Sequence, residues 1–270
     1  MRTNSTTARN QAPTAAGPAP RATYVYSVLA NRITPAVPRA LKGLPQAGPV
    51  RLIAVDRGLW LAVSDVPLAH YGELPLEKRL GDLDWVSRAA LAHERVVEAF
   101  RAAAVLPMKL FTMFASDARA VDHIARQRAS VDALVSRVAK HDEWGVRVLF
   151  DARRQQAAGA TRRGASSGAG YLRQKKAQRD AAVERLSRSA RVVAALYDGL
   201  SRKASHARRR SGSELPAEGA SLLLDAAMLV PRARAAQFRS AVAREARALA
   251  GQGYRVSLTG PWPPYSFLTD

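Results

Sequence analysis

The chain ends on a segment with few conformational options: Leu258-Thr259-Gly260-Pro261-Trp262-Pro263-Pro264-Tyr265-Ser266-Phe267-Leu268-Thr269-Asp270, with three prolines and three aromatics between 261 and 267. Proline fixes φ and removes a backbone donor, so Pro261, Pro263 and Pro264 exclude both helix and central strand. The expected state is stiff and extended, close to polyproline II, following a short strand over 254–258 that ends at Gly260. Stiffness lowers the entropy lost when Trp262, Tyr265 and Phe267 dock. Disordered tails are poor in aromatics, so this one is expected to pack. Two roles are open for it: stapling the C-terminal domain to its own sheet, or also contributing to a partner-binding face.

Upstream, residues 1–21 are rich in Thr, Asn, Ala, Pro and Arg without apolar periodicity, and are expected to be a disordered tail. Residues 24–29 read as a strand. Residues 50–55 and 59–64 read as a hairpin joined through Asp56-Arg57-Gly58, with glycine at a left-handed position. Both arms are almost continuously apolar, which predicts burial on both faces. Residues 31–49, with several prolines, read as loop. Asp84 caps a predicted helix over 85–103 whose stripe is Trp85, Ala89, Val96, Phe100 and Ala103. A strand is predicted over 106–114. A helix to about residue 140 then starts at Ser116 or Asp117, with Val121, Ile124, Val131, Leu134 or Val135, and Val138 inward.

From Val146 the order is strand (146–150), long helix (171–206), strand (222–230), helix after Pro231, and strand (254–258). The long helix carries Val183, Leu186, Ala190, Val193, Tyr197 and Leu200 at heptad-like steps. That seam suits packing on a sheet or pairing with a partner helix. Arg208-Arg209-Arg210 reads as a basic loop. A hairpin hidden near 222–230 would complete a ferredoxin-like βαββαβ unit. The expected fold is therefore α+β with two domains, 22–140 and 141–270, the second ferredoxin-like with a basic linker at about 151–170.

Composition narrows the chemistry. The chain lacks cysteine, which excludes disulfides, thiolate catalysis and cysteine-based metal sites. No apolar run reaches membrane-span length, and the N-terminus has no apolar signal core, so a cytoplasmic protein is expected. The net charge of +20 is uneven: residues 150–214 hold 16 Lys/Arg against 5 Asp/Glu, whereas 1–149 hold 20 against 13. Such a segment attracts polyanions or acidic partners, so nonspecific nucleic-acid binding through residues 153–210 is the alternative reading. No phosphate-cradling loop or nucleophile elbow is present, and Gly164–Gly170 follows no apolar strand. His70, His93, His123, His141 and His206 lack metal-ligand spacing. No catalytic residues, metal, cofactor or small-molecule substrate is expected.

The proline-aromatic ending resembles that of the gas vesicle protein F/L family. Other landmarks agree in order: Tyr24-Val25-Tyr26-Ser27-Val28, Ala92-His93-Glu94-Arg95-Val96-Val97-Glu98, Val105-Leu106-Pro107-Met108-Lys109-Leu110-Phe111-Thr112-Met113-Phe114, Glu143-Trp144-Gly145-Val146-Arg147-Val148, Tyr171-Leu172-Arg173-Gln174-Lys175-Lys176 and Leu229-Val230-Pro231. The resemblance covers about residues 22–268. It implies two α+β domains, the second a modified ferredoxin-like fold, and a non-enzymatic accessory protein of gas vesicle assembly. Implied partners are the small hydrophobic shell protein and other gas vesicle accessory proteins; the implied location is the gas vesicle, as a soluble pool or in the wall. Candidate partner-binding residues are Trp262, Tyr265 and Phe267, with Leu106, Met108, Phe111 and Met113 as a second surface, for which core packing is the competing account. The family commonly carries Arg, an aromatic and Gly where this chain has Lys109, Leu110 and Phe111, which bears on backbone freedom at 111.

Overall fold

The computed structural model describes residues 19–31, 35–151, 168–210 and 220–268. The expected tail, apart from Ala19–Arg21, and most of the expected basic linker lie outside the described residues.

The first sheet is antiparallel, in the order β2-β3-β1-β4, formed by β1 (Arg21–Ala30), β2 (Arg51–Asp56), β3 (Leu59–Pro67) and β4 (Ala104–Pro107); β5 (Met113–Phe114) also pairs with β1. β1 and β3 are apolar and buried on both faces, as their sequences imply. β2 departs from that expectation: it is the outer strand and only half-buried, its charged Arg51 and Asp56 marking the edge. Gly58 takes the left-handed turn position with φ 82°. A bulge between Val25 and Ser27 changes which side chains share a face. Tyr24, Tyr26 and Leu29 join one core, whereas Val25 and Val28 join another.

Two short helices follow, α1 (Leu68–Tyr71) and α2 (Glu73–Leu80), in a stretch without strong periodicity. The helix α3 (Leu83–Ala99) starts earlier than predicted because Asp82, not Asp84, accepts from the Trp85 amide at 3.0 Å. Its predicted stripe is buried against Tyr24, Tyr26 and Ala62. The predicted helix to residue 140 is two, α4 (Asp117–Arg126) and α5 (Arg128–Val138), broken at Gln127 (φ −98°, ψ 16°); Ser116 caps the first, as expected.

The second sheet has the order β7-β8-β6-β9 and is wholly antiparallel: β6 (His141–Phe150), β7 (His206–Arg209), β8 (Ser221–Pro231) and β9 (Tyr254–Trp262). With α6 (Gly168–Ser201) between β6 and β7, and α7 (Ala235–Ala250) between β8 and β9, this is the ferredoxin-like arrangement. The hidden hairpin exists, but its first arm is β7, drawn from the arginine-rich stretch expected to be loop. Asp225 sits in β8 because Arg147 (3.0 Å) and Arg210 (3.1 Å) flank its buried carboxylate. Pro231 is extended (ψ 132°) and ends β8 rather than opening a helix. In α6 only the C-terminal half packs on the sheet, through Val193, Leu196 and Leu200. Ala190 of the predicted seam is exposed.

One face of the second sheet packs on α6 and α7. The other contributes Ala227 and Leu229 to an apolar cluster with Val25, Val28 and Leu61 of the first sheet, Ile124 of α4 and Val131 of α5. The two sheets therefore share a core, and Phe267 and Leu268 close over it.

The expected strand over 106–114 is interrupted. β4 and β5 both pair with β1, but Met108–Thr112 loops out between them, tied by Met108 N–H to Tyr26 O (2.9 Å) and Val25 N–H to Thr112 O (3.0 Å). Phe111 has φ 65°, a left-handed conformation that costs an L-residue about 1–2 kcal/mol. It is held there by its ring, stacked on Trp85 (5.5 Å, 7°), and by its amide, which donates to the Tyr24 hydroxyl (3.2 Å). Phe111→Ala loses the ring and keeps the strain; Phe111→Gly loses the ring and the strain. Both are expected to fall below the wild type by about 1–3 kcal/mol. The glycine variant should nevertheless be about 1 kcal/mol more stable than the alanine variant in urea unfolding. Equal stabilities, or the reverse order, would remove strain from the account.

Candidate functional site

The C-terminal segment forms a clasp. β9 is an edge strand, so it tolerates Pro261 and runs on to Trp262, beyond the Gly260 end predicted for it. Gly260 has φ 116°, and a Cβ there would stand 2.8 Å from the Glu143 carbonyl oxygen, so only glycine brings this strand so close to β6. The Gly260-Pro261 peptide is cis. Pro263 and Pro264 are buried, and the chain then turns through a short 3-10 helix, Tyr265–Phe267, instead of staying extended.

Buried and half-buried acids tie the clasp down. Glu143 of β6 accepts from both the amide and the hydroxyl of Ser266, each at 2.7 Å, with Arg210 at 3.7 Å. Burial pushes the Glu143 carboxyl above its ordinary range, and the Ser266 bonds and Arg210 pull the other way. Tyr265 donates its hydroxyl to Glu94 of α3 at 2.8 Å. Burial likewise raises Glu94 and the Tyr265 phenol. Arg101 and Arg232 share the buried Asp142 carboxylate beside the two prolines, at 2.8 and 3.0 Å. Three elements, α3, α5 and β6, thus hold about five residues of tail, α5 through Arg137 donating to the Phe267 carbonyl at 3.5 Å.

The candidate residues divide by burial. Phe267 is buried in the shared core and Leu106 lies in the same cluster. Phe111 and Met113 pack on the α3 core. Trp262, 47% exposed, stands over α3, where Pro261, Leu91, Glu94, Arg95 and Glu98 complete an open groove of about 520 Å³. Tyr265 borders a second groove, of about 530 Å³, with Leu106, Met108, Ile124, Leu134 and Leu268. The structure therefore brings together Tyr265, Leu106 and Met108, and sets Trp262 apart beside Leu91. Leu91, 56% exposed, is an apolar residue off the inner stripe of α3, a signal present in the sequence. Glu94, Glu143 and Ser266 carry no such signal.

His93 is buried on α3, its Nδ1 2.7 Å from the Tyr24 hydroxyl, and burial lowers its pKa to about 4, so it is neutral at physiological pH. Among the described residues no cluster of His, Asp or Glu could hold a metal ion, and no helix is long and apolar enough to cross a membrane.

Fold and clasp together define a two-sheet α+β protein, its second sheet ferredoxin-like, closed by a proline-aromatic C-terminus. A profile of the gas vesicle synthesis protein GvpL/GvpF family matches residues 22–269, and the chain belongs to that family. It is 32% identical over 254 residues to gas vesicle protein L of Streptomyces sp. (strain CB03234), covering 92% of each chain. The crystal structure of GvpF from Anabaena sp. PCC7120 superposes with a TM-score of 0.65 at 17% identity, over 93% of this chain and 97% of that one. GvpF from Microcystis aeruginosa gives 0.63 at 17% identity, over 92% and 99%. These likenesses support a gas vesicle accessory role.

Proposed function

We propose that this chain assists gas vesicle assembly by capturing an apolar segment of the small hydrophobic shell protein, or of another gas vesicle accessory protein, on the Trp262–Leu91 groove. It acts at the gas vesicle, from a soluble cytoplasmic pool or as a minor wall component. The observation that carries this reading is the exposed Trp262 indole, held between the half-buried Pro261 and the buried Pro263 and Pro264, with Ser266 bonded to Glu143 beyond them. An aromatic anchor on a rigid support loses little entropy on binding. A shell subunit must be masked in water before it polymerises, because exposed apolar patches aggregate. Glu94, Arg95 and Glu98 supply the polar rim of the groove.

The test is co-elution with the shell protein of the same gene cluster at about 0.5 M salt, where exposed charge pairs are largely screened. A nucleic-acid competitor is present. Retention is expected, and Trp262→Ala with Leu91→Ser should weaken it about tenfold to a hundredfold while lowering the unfolding midpoint by only a few degrees. Tyr265 is unsuitable as a first variant because its hydroxyl is part of the clasp. Absence of shell binding at any salt, with nucleic acid retained at low salt, would overturn this reading in favour of polyanion binding through the basic middle of the chain.

A further inference from the structure

The helix α6 is 34 residues long. Ser189 ties it to the sheet: its hydroxyl lies 3.0 Å from the Tyr254 hydroxyl at the first residue of β9. Tyr254 pairs with Phe150, the last residue of β6, so this contact marks the end of the sheet. The part of the helix before Ser189 extends about 30 Å beyond it. From Gln174 to Arg188 every side chain is exposed except the half-buried Ala182. Val183 and Leu186 are 57% and 70% exposed, three residues apart on one face.

The charges around this apolar pair are not symmetric. At 100° per residue, Arg179 stands one turn before Val183 on the same face, and Lys176 flanks it two turns back. Asp180 lies about 60° from Val183 on the side away from Leu186, a quarter turn from the middle of the pair; Glu184 lies further round and is paired with Arg188 at 3.1 Å. The stripe is therefore apolar at its centre and cationic beside it. A second copy of this chain would bring like charge against it, on a protein whose net charge is +20. A membrane surface is a poor fit, because residues 174–188 contain no aromatic and only these two large aliphatic side chains. Nucleic acid would leave the apolar pair in water.

We propose that this overhanging half of α6 is a docking arm for an acidic amphipathic helix of another protein, seated along Val183 and Leu186 with its carboxylates against Lys176 and Arg179. The arm is separate from the Trp262 groove and uses none of its residues. The pairing follows helix-on-helix packing, with the apolar seam giving affinity and the flanking charges choosing the partner.

The probe is a dye-labelled synthetic helix of about four heptads, with leucine along its seam and glutamate on both flanks, so that it repels its own copies. A second peptide carries lysine in place of glutamate. Both are titrated into the full chain by fluorescence anisotropy. The glutamate peptide is expected to bind at least about tenfold more tightly than the lysine peptide. Val183→Ser with Leu186→Ser should weaken it about tenfold or more. Lys176→Glu with Arg179→Glu should reverse the preference. All four positions are exposed, so circular dichroism should be unchanged, and Trp262→Ala should leave peptide binding as it was. Absence of saturable binding by the glutamate peptide overturns the proposal. So does undiminished binding by the serine variant, which would make the attraction one of charge alone. Val183- and Leu186-dependent capture of anionic phosphatidylserine vesicles or duplex DNA in place of the peptide, or self-association through the same pair in sedimentation velocity, overturns it as well.

Discussion

Phe267→Ala is expected to destabilise the protein by about 3–5 kcal/mol, lowering the unfolding midpoint by about 10 °C. The size follows from where the ring sits. Phe267 is 4% exposed and lies with Val25, Val28 and Leu61 of the first sheet, Ile124 and Val131 of the helices beneath it, and Ala227 and Leu229 of the second sheet. Truncation removes the transfer free energy of a whole ring and leaves a cavity bounded by two sheets that cannot readily collapse towards each other. The ring also anchors the last turn of the clasp, so Tyr265 and Ser266 lose a tether when it goes. Trp262→Ala, five residues earlier at the end of β9, is expected to cost only about 1 kcal/mol, since 47% of that residue is already in water. Chemical unfolding of the two variants side by side separates the structural aromatic from the surface one. A Phe267→Ala variant as stable as Trp262→Ala would mean that the clasp does not hold the sheets together.

That division of labour between neighbouring aromatics was only half visible in the sequence. The prolines announced a stiff, packed ending, because their restriction is local. The burial of Phe267 and exposure of Trp262 depend on partners more than a hundred residues away, including Glu143, which is 123 residues from Ser266. The ferredoxin-like order was legible from the alternation of long helix and apolar strands. Its second strand was not, because Arg208 and Arg209 pair at a sheet edge where polar side chains are tolerated and periodicity is lost. The bulge after Val25 and the loop at Met108–Thr112 were hidden for a related reason: an inserted residue alters register without altering composition. Phe111 is the instructive exception. The resemblance implied a glycine at this position, which put its backbone freedom in question, and the backbone at Phe111 is left-handed. In α6 only the C-terminal steps of the heptad-like seam, Val193, Tyr197 and Leu200, pack on the sheet, because the sheet ends at Tyr254 and leaves Val183 and Leu186 uncovered, which the sequence could not say.

Glu143 supplies the second large effect, and its sign depends on what replaces it. Glu143→Ala strips both acceptors from Ser266 and is expected to cost about 3 kcal/mol, the penalty for orphaning buried donors and freeing the tail. Glu143→Gln keeps a carbonyl oxygen for the Ser266 amide and offers an N–H to its hydroxyl, so it should stay within about 1 kcal/mol of the wild type. Arg210 does not become an isolated cation in either variant, because Asp225 lies 3.1 Å from its Nε. The pH dependence is the sharper discriminator. Burial raises the folded pKa of Glu143 above the ordinary 4.5, so the folded state favours the protonated form. The stability contributed by that preference is fully present below the unfolded pKa and is lost as pH rises through the folded one. Glutamine has no proton to lose. The glutamine variant should therefore gain on the wild type as pH rises from about 4, and the difference should become constant once the wild-type carboxyl is ionised. Glu94 is raised in the same direction in both proteins, so its contribution cancels from the difference. A stability difference that stays flat from pH 4 to 8 would mean that Ser266 and Arg210 offset the burial of Glu143 completely, and the clasp would then be held by an ordinary carboxylate.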